Sequence, residues 1–339
     1  MMKQGGTGPG RPMGTSHPRT AFGSNRWGYS FALLSGVVWG AGAVVLGEAL
    51  LREPLAAAGA LFAAPLAAAA LHDCFAFLWV SAVSAAAGRL REAAAAAFTR
   101  DGLTICLAAL LGGPIAMSTY LLAIAFSGAP YAIAIASVFP AIGALLGYAV
   151  LRDRLSVVGW VGIALAVGGA VLASYAPPAG ASPRYFLGAL CAVVSATGWA
   201  AEGVLVTRSM ARVPALAALN IREAVSAMAF LLIVLPVFAA SGTVLRTIAS
   251  PTILFLIAAS LCGAGAYLLY YRSLDILGPA RAMPTNSTSV LWTIGLSVVA
   301  TGAWPEWRLV VGGIIVVAGI TLVATDRRRV EPLGGVSGA

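Results

Sequence analysis

The sequence predicts an all-α integral membrane protein: ten transmembrane helices arranged as two inverted five-helix repeats. Three observations predict it. Of 339 residues, 60% are apolar and only 10% charged, whereas a soluble domain carries roughly 25% charged residues. The apolar residues fall into charge-free runs of bilayer length. The same residue types also recur at an offset of 150–160 along the chain. About 203 apolar residues supply roughly ten spans of about 20 residues each, which leaves nothing for a soluble domain. The net charge of +9 would suggest a nucleic-acid partner in a soluble protein. Here the basic residues lie between apolar runs, so they report topology, the surroundings are the lipid bilayer, and no nucleic acid is expected.

Residues 1–28 are rich in Gly, Pro and Arg and contain no acid, which reads as a disordered basic tail rather than a cleaved leader. The predicted spans are 29–50, 64–88, 103–126, 131–151, 157–175, 186–207, 216–239, 252–271, 282–302 and 308–325. The third and fourth come from one uncharged run, 102–151, broken only at Ser127-Gly128-Ala129-Pro130, a tight turn between two helices. The first repeat is thus 29–175, the second 186–325, and 326–339 is a short C-terminal tail. Cys74, Cys106, Cys191 and Cys262 lie far apart in apolar runs with no CxxC pair. They read as small buried apolar residues, and neither metal nor cofactor is expected.

Counting Lys and Arg by side tests the topology. With ten spans and the N-terminus inside, 17 basic residues fall inside and 4 outside. Both termini are therefore expected in the cytoplasm. The same count rejects an eleven-span alternative in which 54–88 is cut at His72-Asp73, because every later basic connection would then move outside. His72 and Asp73 are accordingly placed within one membrane helix. Abundant Ala and Arg beside a single Lys suggest a GC-rich bacterial genome, and hence the bacterial cytoplasmic membrane.

The duplication is read residue by residue. Ser35-Gly36-Val37-Val38-Trp39-Gly40-Ala41 aligns with Ser195-Ala196-Thr197-Gly198-Trp199-Ala200-Ala201. Leu71-His72-Asp73 aligns with Ile221-Arg222-Glu223, and Gly113, Tyr120 and Gly128 with Gly263, Tyr270 and Gly278. Gly162 and Gly168 meet Gly313 and Gly319. Five spans is an odd number, so the second half crosses the membrane in the opposite sense. Inverted repeats of this kind characterise secondary transporters, whose site lies near the midplane between the halves. The change of offset places an insertion of about ten residues between the first two helices, within 51–63.

These motifs resemble the drug/metabolite transporter superfamily, in its EamA-like branch of ten-helix, two-repeat proteins. The resemblance is carried by Trp39-Gly40 and Trp199, by Pro140 with Leu151-Arg152-Asp153-Arg154-Leu155 and Trp160-Val161-Gly162, and by Gly278-Pro279-Ala280-Arg281-Ala282 followed by Gly312-Gly313. It covers roughly 29–325. Two departures stand out: Asp153 where the family often has Glu, and His72-Asp73 where it often has a lone Arg in the second helix. The resemblance implies a transporter of small metabolites, often an exporter.

An ionised side chain at mid-membrane costs roughly 2.5–3.5 kcal/mol on insertion scales, so such residues are functional candidates by default. They are His72, Asp73, Glu202, Arg222 and Glu223. Asp73 and Arg222 are expected to face a central cavity, with Glu202 near it. The competing reading is a closed ion pair, Asp73 or Glu202 to Arg222, that only fixes helix packing. His72 carries the side chain suited to proton exchange near neutrality, and a packed hydrogen-bonded role is equally open. Trp39 and Trp199 lie mid-helix rather than in the interface belts. For them, as for Tyr120 and Tyr267, cavity lining and packing both remain open, while Tyr270 and Tyr271 lie where belt positions fit. Asn286, Ser287 and Thr288 add polar groups at depth, and Pro140 and Pro284 are expected to kink their helices. The Gly-rich helices 157–175 and 308–325 read as packing elements.

An enzyme is not expected, since HExxH, a paired-Asp diphosphate motif and catalytic loops are all missing from the sequence. A cation carrier or channel of the same fold is the alternative, but the mixture of acids with Arg222 and His72 suits a polar or amino-acid-like organic solute better. Without a phosphate-binding loop, transport would be secondary, by alternating access, and export is the favoured direction. The sequence leaves open a coupling proton and a homodimer.

Overall fold

The computed structural model describes residues 23–57, 61–151, 156–178 and 180–325, and these contain helices and no strand. In the first half, α1 (Gly23–Leu50) and α2 (Ala63–Ala86) are followed by a short surface helix, α3 (Leu90–Ala97). Next, α4 (Arg100–Leu110) runs through a π-helical turn (Leu111–Ile115) into α5 (Ala116–Ser127), and α6 (Ala129–Ala136), α7 (Phe139–Leu151) and α8 (Val157–Ser174) complete it. The second half repeats the plan. It comprises α9 (Tyr185–Ser209), then α10 (Ala215–Ala229), which continues through a π-helical turn (Phe230–Val234) into α11 (Leu235–Val237). A short α12 (Ser241–Ile248) precedes α13 (Ile253–Leu277), α14 (Pro279–Asn286), α15 (Ser289–Thr301) and α16 (Trp307–Thr325).

Among the described residues, nine helices are long and apolar enough to cross a membrane. The remaining predicted span, 282–302, is the pair α14 and α15, interrupted at Ser287–Thr288. Its counterpart one repeat earlier, α6 and α7, is interrupted at Ser137–Val138. Both pairs start at a glycine with positive φ, +87° at Gly128 and +74° at Gly278, where a side chain would be strained. Pro140 therefore falls in the first turn of α7, where proline is tolerated, instead of kinking a continuous helix. His72 and Asp73 lie inside the single helix α2. The N-terminal boundary differs from expectation: α1 begins at Gly23, because Trp27, Phe31 and the apolar run behind them extend the helix toward the surface. Residues 1–22, the 152–155 part of the Arg-Asp-Arg motif, 58–60 of the insertion and the tail 326–339 lie outside the described residues.

The two halves pack as an antiparallel duplicate. α1 lies against α13 and α5 against α9, with matched close approaches. A Cβ on Gly28 would sit 2.6 Å from Leu277, and one on Gly188 2.9 Å from Phe126. α8 and α16, the fifth span of each repeat, meet through glycine. A Cβ on Gly169 would lie 2.7 Å from the Gly312 carbonyl oxygen, and one on Gly162 2.7 Å from that of Gly319. Small residues thus bring two backbones together where apolar solvation gives no driving force between helices. Large apolar side chains such as Leu232, Leu254 and Val299 point outward and are exposed, as a lipid-facing belt requires. Arg222, counted among the inside connections, instead lies within α10 and is buried, which leaves the charge bias intact.

Gly169→Ala is expected to destabilise the protein by about 1–3 kcal/mol through overpacking. Gly168→Ala, where a Cβ meets nothing within 4 Å, is expected to be neutral. Thermal unfolding of the two variants in detergent checks the contrast.

Candidate functional site

The site grows from the duplicated pair at 72–73 and 222–223. α2 and α10 pack against each other, which brings Arg222 to within 3.6 Å of Asp73 across the repeat interface. Arg222 is 1% exposed, and every nitrogen of its guanidinium has an acceptor. Nε donates to Glu202 Oε1 at 3.1 Å. Nη1 donates to Glu223 Oε2 at 2.9 Å and lies 3.6 Å from Asp73 Oδ2. Nη2 donates to the Gly112 carbonyl at 3.2 Å and to the Tyr267 hydroxyl at 3.0 Å. The guanidinium carbon also sits 4.4 Å from the centre of the Tyr267 ring, a cation–π contact.

The acids are held from their other sides. His72 Nδ1 is 2.9 Å from Asp73 Oδ1, Ser226 Oγ donates to Asp73 Oδ2, and Tyr271 OH donates to Glu202 Oε1 at 3.1 Å. Glu223 Oε1 is buried with no hydrogen-bond partner. Three carboxyl groups therefore converge on one guanidinium, more acids than its single charge can offset.

Two glycines make the cluster fit. A Cβ on Gly112 would overlap the Glu202 carboxylate, and one on Gly113 would overlap the Ser226 hydroxyl. Both lie in the π-helical turn that ends at Pro114 and Ile115. Such turns widen a helix locally and recur at functional positions.

Beside the cluster lies a cavity walled by Trp39, Trp199, Tyr267, Tyr270 and Tyr271, with Phe139 completing the ring and Glu202 its one charged residue. Trp39 meets Trp199 and Tyr267 edge-on, with ring centres 5.4 and 5.5 Å apart. The polar edge is Ser35, Asn286 and Ser289: Asn286 Nδ2 donates to Ser35 Oγ at 2.8 Å, and Ser35 Oγ donates to the Ala266 carbonyl at 2.8 Å. The open space is only about 50 Å³, room for a few waters. A second, much wider depression of about 1010 Å³ opens on the face carrying residues 51–57 and 301–306, the side the basic-residue count assigns to the exterior.

Trp39, Trp199, Glu202, Tyr267 and Asn286 line the cavity as candidates. Asp73 and Arg222 do not. They stand behind Glu202 in the cluster, because the guanidinium is consumed by the acids around it. Glu223 is in the same cluster, while His72 and Tyr120 border a separate small void next to Trp39. Tyr270 and Tyr271 are cavity residues, not belt residues. Gly112, Ser226, Ser35 and Phe139 were not singled out. Of these, Ser226 carried a readable signal, one helical turn beyond Arg222, and Ser35 recurs as Ser195 in the duplicated motif.

Arg222→Gln leaves three carboxylates buried without a countercharge and is expected to cost about 3–5 kcal/mol. Adding Glu202→Gln to it should recover part of that loss, as thermal unfolding in detergent would show.

Comparison with known proteins agrees with this architecture. Protein LicB of Haemophilus influenzae (strain ATCC 51907 / DSM 11121 / KW20 / Rd) is 30% identical over 191 residues, 56% of this chain and 64% of LicB. The chain thus spans less than two thirds of that relative's length. A protein crystal structure superposes with a TM-score of 0.61 at 18% identity, over 93% of this chain and 100% of its own, a likeness of fold. The family model for EamA-like transporters matches residues 26–175 and again 186–325, one copy for each repeat. With both copies matched across most of its length, this chain belongs to the EamA-like transporter family.

Proposed function

We propose that this multi-pass membrane protein is a proton-coupled exporter of small organic cations, working by alternating access in a bacterial cytoplasmic membrane with both termini inside. The observation that carries this reading is the aromatic cavity closed at one end by Glu202 and backed by a cluster with three carboxylates and one guanidinium. Aromatic faces attract a weakly hydrated cation, and the excess carboxylate sets the sign of the field. An amino-acid-like solute fits less well, since its carboxylate would face Glu202 while Arg222, the cluster's guanidinium, already has its donors engaged.

The same charge balance suggests how transport is coupled. A buried excess of carboxylate is costly unless a proton or another cation offsets it. Proton and substrate cation then compete for one negative field, and a site that holds one at a time exchanges them. With the termini inside, the cavity residues Tyr270, Tyr271 and Leu274 lie toward the inner end of α13, and the wide depression on the other face is the release side in this reading. Because the cavity is too small for an organic solute as it stands, loading requires the two five-helix halves to part.

Tetramethylammonium serves as the probe. Vesicles holding the purified protein and loaded at acid pH are expected to accumulate labelled tetramethylammonium, and to lose it when the proton gradient is collapsed. Glu202→Gln should lower the rate about tenfold or more, corresponding to ~1.4 kcal/mol. Accumulation indifferent to a pH gradient in either direction would refute the coupling.

A further inference from the structure

We propose that Trp199 is a positioning residue that links occupation of the aromatic cavity to the ion cluster, through the carbonyl of Gly112. The proposal rests on reading the cavity as the substrate site. The ring of Trp199 forms part of the cavity wall, while its Nε1 points away from the cavity and donates to the Gly112 carbonyl at 3.2 Å. The same oxygen accepts from Arg222 Nη2, also at 3.2 Å. Gly112 is pressed against Glu202 as well, since any side chain there would overlap the carboxylate. One backbone position therefore touches a wall residue, the cluster's cation and one of its acids.

The two tryptophans of the repeat are not equivalent in this respect. Trp39, the counterpart of Trp199, packs against the rings of Tyr120 at 5.9 Å and Tyr267 at 5.5 Å. Trp199 packs on Tyr120 at 5.0 Å and in addition reaches the π-helical turn by its hydrogen bond. A regular helix interrupted by a π turn and Pro114 has a broken ladder, so this segment is the place on α4 and α5 where a small shift costs least.

The consequence is mechanical and electrostatic at once. An organic solute exceeds the open space, so a wall ring must move to admit it. If Trp199 moves, its N–H leaves the Gly112 carbonyl, that oxygen loses one of the two side-chain donors it has, and the guanidinium's hold on the acids changes. In the reverse direction, a proton taken up by the cluster redistributes Arg222 and alters the bond that anchors Trp199. The groups facing this link are His72 and Asp73 on α2, Glu202 on α9, Arg222 and Glu223 on α10, Tyr120 on α5, and Tyr267, Tyr270 and Tyr271 on α13.

Trp199→Phe keeps an aromatic ring but removes the N–H donor, part of the ring and one reporting indole; Trp39→Phe makes the same loss of ring and indole at the tryptophan that does not reach Gly112. Indole emission of the purified protein, followed from about pH 4 to pH 9 without any ligand, reads the link directly. The wild type and Trp39→Phe are expected to show a pH-dependent shift that Trp199→Phe lacks. A wild type with no such shift, or a Trp199→Phe variant that keeps it in full, overturns the proposal. In vesicles, Trp199→Phe should hold the KM for tetramethylammonium within about threefold while the rate falls about tenfold, within the range of site-to-site couplings. A rise in KM with an unchanged rate and pH profile would make Trp199 a binding residue alone and also overturn it. Should the emission result hold while the wild type moves no tetramethylammonium, the link stands and the organic-cation reading falls.

Discussion

Arg222 lies where α2, α9, α10, α13 and the π-helical turn of the third span meet, and three carboxylates, a carbonyl and a phenol converge on it. In a protein whose helices are otherwise joined by small apolar residues, this is the concentrated interaction between the repeats. Apolar packing inside a bilayer discriminates poorly between one helix register and the next, because lipid solvates leucine as well as leucine does. A buried guanidinium with directional donors does discriminate. It also cannot be made neutral, so the surrounding acids must adjust to it, and their number exceeds its charge. Buried ionic networks of this kind need not add net stability.

The frame is symmetric and the site is not. Gly42 on α1 approaches Cys262 on α13, and the matched pair in the other half is Glu202 against Gly112. His72 borders Gly263 where Arg222 reaches the Gly112 carbonyl. Tyr267 and Tyr271 of the cavity wall correspond by position to Met117 and Leu121. A duplicated backbone thus gives two pseudo-equivalent half-sites that differ in chemistry, Cys262 against Gly42 in one and Glu202 against Gly112 in the other. Inverted symmetry lets the two halves exchange conformations about a fixed centre. Asymmetry at that centre gives the substrate a single polarity to recognise.

Much of the frame was legible in the chain because bilayer length and charge bias are coarse constraints that many residues report together. The tight turn at Gly128 followed from spacing, the placement of His72 and Asp73 inside one helix from the charge count, and α8 and α16 read as glycine-rich packing helices without showing that they meet each other. The candidate site was legible in membership rather than in geometry. Depth in the membrane singles out His72, Asp73, Glu202, Arg222 and Glu223, but which of them faces the cavity depends on the sub-ångström question of who satisfies Arg222. The π-helical turn at Leu111–Ile115 is the clearest example of what was hidden. Gly112, Gly113 and Pro114 look like ordinary flexible residues in an apolar run, and their role emerges only once Glu202 and Ser226 arrive from other helices.

On the proposed mechanism the cavity between the repeats is a single site exposed to each side of the membrane in turn. Side-specific labelling tests it most directly. With Cys74, Cys106, Cys191 and Cys262 replaced, Ser289→Cys on the polar edge of the cavity is exposed to a membrane-impermeant thiol reagent from one face of oriented vesicles or the other. Alternating access predicts slow labelling from each face, with reagent on one side trapping the protein open to that side. Labelling from one face only, however long the exposure, would contradict it and make the cavity a surface pocket of that face.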